Sequence, residues 1–183
     1  MFSREVLGAA YGKGLSDEDM WKAIGDHVGG LPDGLVPAYL RLRDEAMASV
    51  AAMPLALEAV EDIRGMVTVC VASSGSHEKM AITLGGTALL PLFRGRVYSA
   101  TQVEHGNPAP DLFLYAAAQS GVDPEDCVVI EDSANGVRAS VAAGMQTLGY
   151  CPDGDVNGLG ALGARVFPSH ERLPEIIYAL RGC

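Results

Sequence analysis

Cys127-Val128-Val129-Ile130-Glu131-Asp132-Ser133-Ala134-Asn135-Gly136-Val137 is the stretch on which the fold turns. An apolar, β-branched run hands two adjacent carboxylates and a serine to a turn, and a helix opens near Ala134. Open α/β sheets present their ligands in this way, outside the carboxyl ends of parallel strands. The run from Val67 to Ser73 has the same character, and Ser74-Gly75-Ser76 opens the helix after it. Runs this apolar are expected to be strands buried on both faces.

Working outward, strand and helix patterns alternate after Pro54. A short helix spans Leu55–Arg64, followed by the strand Val67–Ser73 and a helix over Ser76–Leu84. A short strand at Gly95–Ser99 precedes a helix from Pro110 to Ser120, ended by Gly121. The strand Cys127–Glu131 leads to a helix over Ala134–Ala143. Strands at Gln146–Tyr150 and Ala164–Phe167 and a helix over Leu173–Leu180 close the chain. Such alternation predicts an α/β fold with a doubly wound parallel sheet. Residues 1–53 carry helical patterns only. Ser16-Asp17-Glu18-Asp19 has the form of a capping box ahead of Met20-Trp21-Lys22-Ala23-Ile24, and a second helix covers Leu35 to Met53. The expected division is a small helical unit over 1–53 and an α/β core over 54–183.

Composition narrows the function. The 183 residues are 49% hydrophobic and 20% charged, with a formal net charge of −10. An acidic surface argues against nucleic acid and anionic membrane as partners, because both need basic patches. No apolar run reaches the roughly 18 residues of a membrane span. The opening Met1-Phe2-Ser3-Arg4-Glu5 is too polar for a secretory signal. The four cysteines lack CxxC spacing, and Cys70 and Cys127 sit in apolar runs as small hydrophobes. A reducing cytoplasm, without disulfides or zinc, is expected.

Two clusters can carry chemistry. Ser73, Ser74 and Gly75 close a strand and open a helix, where a hydroxyl, free N–H groups and the positive helix end form an anion cradle. The plain alternative is that Ser74 or Ser76 only caps the helix. Glu131 and Asp132 offer hard oxygen donors that suit magnesium; alternatively Asp132 or Ser133 only caps the next helix. Asp153 and Asp155 are spaced Asp-x-Asp, but they lie in a glycine-rich loop and are expected to be solvated. The four histidines are scattered, and Trp21 and Met20 read as helical core.

Three motifs taken together resemble one family. Val71-Ala72-Ser73-Ser74-Gly75-Ser76, Asn107-Pro108-Ala109-Pro110-Asp111 and Glu131-Asp132-Ser133-Ala134-Asn135-Gly136 are similar to motifs of the haloacid dehalogenase-like (HAD) hydrolases, nearest to the β-phosphoglucomutase and sugar-phosphate phosphatase subgroup. The resemblance implies a magnesium-dependent phosphatase or phosphomutase acting on a small phosphorylated metabolite, with a helical cap before Pro54. Ser73 would bind the phosphoryl group, Asp132 the metal, and Glu131 would be a ligand or stand behind it. Gly12, Lys13 and Gly14 lie where family caps contact substrate.

The resemblance has two gaps. Asn107 stands where the family has a lysine that neutralises the phosphoryl oxygens. The family's nucleophile, an Asp-x-Asp after an early apolar strand, has no counterpart in these residues. That strand lies mid-sheet in the family, between the counterparts of Val67–Ser73 and Cys127–Glu131. Without the aspartates no phosphoenzyme forms and the metal loses ligands, so an inactive or strongly impaired polypeptide is expected. The alternative is a non-catalytic ligand-binding or interaction module on a truncated HAD fold. A chain lacking its central strand has three recourses: direct pairing of the flanking strands, a strand from a partner such as a homodimer mate, or a start upstream of Met1.

Overall fold

The structure, a computed structural model, describes residues 17–181. It divides into two compact units, Met1–Met47 and Ala48–Cys183. In the first, α1 (Asp17–Val28) is followed by a turn in which Gly29, Gly30 and Gly34 all take positive φ, and then by α2 (Leu35–Ala48). Ile24 is buried, with Trp21 and Leu31 packed against it. The Trp21 ring meets Tyr39 edge-on, with centroids 4.9 Å apart. The proposed cap at Ser16, the Gly12-Lys13-Gly14 stretch and the side chain of Met20 lie outside the described residues.

The second unit holds the alternating elements. In order they are α3 (Ala56–Ile63), β1 (Val71–Ser73), α4 (His77–Gly86), β2 (Val97–Ser99), α5 (Asp111–Ser120), β3 (Val128–Glu131), α6 (Ala134–Ala142), β4 (Gln146–Tyr150), β5 (Arg165–Phe167) and α7 (Leu173–Leu180). Every strand pairing is parallel. β1 pairs with β2, setting Ser73 opposite Ser99, while β4 lies between β3 and β5. The expected doubly wound sheet is therefore present in two hydrogen-bonded parts, and β1 and β3 do not pair with each other.

Both inner strands rest on the same two apolar clusters. Val67 and Val69, just ahead of β1, pack with Val128 against Ala59, Ile63, Leu148, Phe167, Leu173, Ile176 and Ile177. On the opposite face Ala72, Cys127 and Val129 pack against Phe113, Ala117, Ala139, Ala143 and Met145. Side chains alternate across a strand, so each inner strand serves both clusters. Cys70 and Cys127, which directly precede the two strands, are close enough to interact electrostatically. The strands therefore start near one another.

The expectation that these strands are buried on both faces is corrected. β1 is only half-buried, Cys70 is exposed, and Ile130 is 42% exposed. The cause is the open inner edge: a strand with a neighbour on one side only keeps part of each face in solvent. Among the described residues Cys70, Cys127 and Cys151 are free thiols. No described helix is long and apolar enough to cross a membrane.

Candidate functional site

Ser73 ends β1, and its Oγ accepts the N–H of Gly75 at 3.1 Å. Ser76 caps α4 by accepting the Lys79 N–H at 3.3 Å, so the capping alternative holds for this serine. Ser74 is exposed. The loop is pinned from β2. Ser99 is fully buried, and its hydroxyl donates to the Gly75 carbonyl at 2.8 Å. The same oxygen accepts the Thr101 N–H at 3.1 Å. The Ser99 N–H donates to Gln102 Oε1 at 2.9 Å. Sequence reading passed over Ser99, although Ser-x-x-Gln at 99–102 has the spacing of a capping box. With Gly75 held at both ends, the Ser73 hydroxyl hydrogen remains free to donate to an anion.

The loop bearing Asn107 lies on the same rim. A side-chain carbon at Gly106 would sit 3.7 Å from Cβ of Ala100, which directly follows β2. Asp111 laces the loop: its Oδ2 lies 3.1 Å from His105 Nδ1 and accepts the His105 N–H at 3.3 Å. The Asn107–Pro108 peptide is cis. Asn107 Oδ1 is buried and has no hydrogen-bond partner among the described residues. The residue at the lysine position thus ends in a polar atom with unmet hydrogen-bonding capacity.

Glu131 and Asp132 part company. The Glu131 carboxylate folds over the start of α6, where it accepts the Ser133 hydroxyl at 2.9 Å and lies within 3.4 Å of the Ser133 N–H. Ser133 in turn accepts the Gly136 N–H at 3.0 Å and caps α6. A side-chain carbon at Gly136 would overlap the Glu131 carboxylate, so glycine makes room for the acid. Asp132 is exposed and forms no hydrogen bond through its carboxylate to a described residue. Glu131 therefore holds the turn, and Asp132 is the donor left free. Among the described residues no three His, Cys, Asp or Glu side chains gather as a metal site.

Burial pushes the Glu131 carboxyl above the ordinary carboxylate range, against the pull of the Ser133 bonds, and the Asp132 charge adds to the rise. The folded state then holds a proton at pH values where the unfolded state has released it, so stability falls as pH rises from the ordinary glutamate range through the raised value. Glu131→Gln keeps an acceptor for Ser133 and removes the titration. Urea unfolding of this variant between pH 4 and pH 7 is expected to lose that part of the parent's decline.

Asp153 and Asp155 are both exposed, as expected. Asp155 also has a structural part: its two carboxylate oxygens accept the N–H groups of Leu159 at 2.6 Å and Gly160 at 2.9 Å. It ties down the glycine-rich loop and gives the N–H of buried Leu159 an acceptor.

The motifs and the parallel strands beneath them agree with what the chain matches. The model of the haloacid dehalogenase-like hydrolase family matches residues 12–144, and the chain belongs to that family. Its relatives include the 6-phosphogluconate phosphatase of Escherichia coli K12, 27% identical over 125 residues, covering 66% of this chain and 57% of that protein. Another is fructose-1-phosphate phosphatase YqaB of the same strain, 36% identical over 107 residues, covering 58% of this chain and 56% of the relative. The chain thus spans less than two thirds of these curated relatives.

Among solved structures, a HAD family hydrolase from Deinococcus radiodurans R1 with bound phosphate and sodium is 29% identical. It covers all of this chain, which in turn covers 82% of it, with a TM-score of 0.71. The putative β-phosphoglucomutase of Thermotoga maritima shares the fold at a TM-score of 0.74 and 20% identity, with 98% of this chain and 84% of that one covered.

Proposed function

We propose that these residues form the phosphate- and cation-binding side of a phosphatase or phosphomutase site for a small phosphorylated metabolite. Residues 1–53 would serve as its cap and 54–183 as its core. The observation that carries this reading is the division of labour at the two strand ends. Ser99 pins the Ser73–Gly75 loop and leaves a hydroxyl to donate, while Ser133 and Gly136 hold Glu131 inward and leave Asp132 free. The named substrates of the phosphatase relatives support a phosphorylated sugar or polyol.

Magnesium is normally bound through one or two carboxylates, waters and substrate phosphate. One free carboxylate and one anion cradle fit a part of that donor set. Asp132 would hold the ion, with Glu131 fixing the turn behind it. When bound, the ion neutralises phosphoryl oxygens and orients them. Ser73 would donate to one of those oxygens, and Ser74, solvent-facing, to another. Asn107 brings no positive charge to the rim. An aspartyl nucleophile and its acid–base partner are not among these residues, so binding rather than turnover is the activity this 183-residue polypeptide supports.

Binding can be tested without chemistry. Inorganic phosphate with magnesium is expected to raise the melting temperature of the polypeptide, and each alone is expected to do less. Asp132→Ala should remove the magnesium-dependent part, and Ser73→Ala should weaken the phosphate part about tenfold, the worth of one hydrogen bond to a charged group. A melting temperature indifferent to both ligands would falsify the reading.

A further inference from the structure

A serine hydroxyl has one hydrogen and two lone pairs to place. The oxygen of Ser99 accepts the Thr101 N–H at 3.1 Å and the Thr101 hydroxyl at 2.9 Å. Both lone pairs are then in use, and the hydrogen goes to the Gly75 carbonyl at 2.8 Å. The Gly75 N–H in turn donates to Ser73 Oγ at 3.1 Å. A chain of bonds thus runs from the fully buried Ser99 to the hydroxyl that ends β1. It does not stop at Ser99. Gln102 closes a capping box on this serine, its Oε1 accepting the Ser99 N–H at 2.9 Å. The nitrogen of the same amide donates to the Tyr115 hydroxyl at 3.2 Å. Tyr115 lies on α5 and meets Tyr98 of β2 edge-on, with ring centroids 5.7 Å apart. The first residue of α5 is Asp111, which laces the Asn107 loop.

We infer that Gln102 is a positioning residue for the Ser73 anion loop, which it ties through Ser99 to α5. This role rests on the phosphoryl reading and adds to it a residue that touches no ligand. A side-chain amide suits the task, because its oxygen accepts from a backbone N–H while its nitrogen donates to a phenol oxygen. Being neutral, it sets no charge behind a loop that receives an anion. The loop is held before the anion arrives, so less ordering has to be done on binding. The Ser73 hydrogen is thereby kept for the ligand, since Gly75 engages this hydroxyl only through its oxygen.

The test titrates inorganic phosphate, at fixed magnesium, against the amide NMR resonances of Ser73 and Gly75 in the whole 183-residue polypeptide. Gln102→Met keeps the length of the side chain and removes both polar groups. It is expected to weaken phosphate about fivefold, the worth of one hydrogen bond. It should also shift the Gly75 amide-proton resonance before any phosphate is added. Ser99→Ala should act in the same way. The variant carrying both substitutions should bind no more weakly than Ser99→Ala alone, because the two residues act in series. Tyr115→Phe keeps the ring against Tyr98 and should weaken binding about twofold; it answers the same question if Gln102→Met does not fold. A merely structural role would lower the urea midpoint and leave the phosphate affinity and the Gly75 resonance unchanged, and that result overturns the inference. Additive losses in the double variant overturn it as well. A parent that binds no phosphate sinks the phosphoryl reading and this role together, whereas unchanged variants of a parent that does bind sink this role alone.

Discussion

Placing an apolar strand ending in Asp-x-Asp ahead of this polypeptide, together with Asn107→Lys, is expected to raise magnesium-dependent hydrolysis of p-nitrophenyl phosphate from background to a readily measured rate. The gain should exceed a thousandfold. Its largest part comes from a nucleophile that divides one difficult displacement into two easier steps. The lysine adds a charge where Asn107 has none. A unit charge 4 Å from its partner is worth roughly 4 kcal/mol at an effective dielectric near 20, and even half of that corresponds to about thirtyfold in rate. The parent polypeptide, assayed on the same substrate and on a panel of sugar phosphates, should show no turnover that Asp132→Ala removes. Robust turnover by the parent would contradict the assignment of binding without chemistry.

Leu148→Ala should cost about 2–5 kcal/mol of stability, read as a lower midpoint in urea at constant slope. Leu148 is 2% exposed on β4, the middle strand of the three-stranded part, and belongs to the cluster that includes Phe167, Leu173 and Ile176. Truncation leaves a cavity beneath a strand that has neighbours on both sides and cannot shift to close it. Against a net stability of about 5–15 kcal/mol for a domain, that loss is large. Val156→Ala is the control: the side chain is 79% exposed, and its loss should stay within about 0.5 kcal/mol. Equal effects of the two substitutions would show that the core is not where the packing places it.

Much of this was legible in residue order. Val128–Glu131 and Val71–Ser73 announced themselves through β-branched content, and Gly121 marked the end of α5 by taking a positive φ of 68°. The parallel sense followed from alternation alone. Strand lengths were overestimated at 67–73, where the apolar pattern continues beyond the ladder. Exposure of Ile130 was illegible, because a side chain's burial depends on whether a neighbouring strand is present, and no local pattern encodes that. In the site, the serines and carboxylates were visible as types. Their orientations were not: the inward turn of Glu131 depends on space left by Gly136, five residues away. Ser99 escaped because its work is done across the sheet, on a carbonyl 24 positions earlier. Asp155 escaped because its partners are backbone groups, which carry no sequence signature.

The break between β1 and β3 also determines where the molecule yields first. The β1–β2 pair has three residues in register and adjoins the rest through side chains alone. Two-stranded ladders are marginal by themselves. Amide hydrogens at Val71 and Ser73 should therefore trade for deuterium well before those of Leu148 and Tyr150, and that order follows from the architecture whatever the chemistry at the rim.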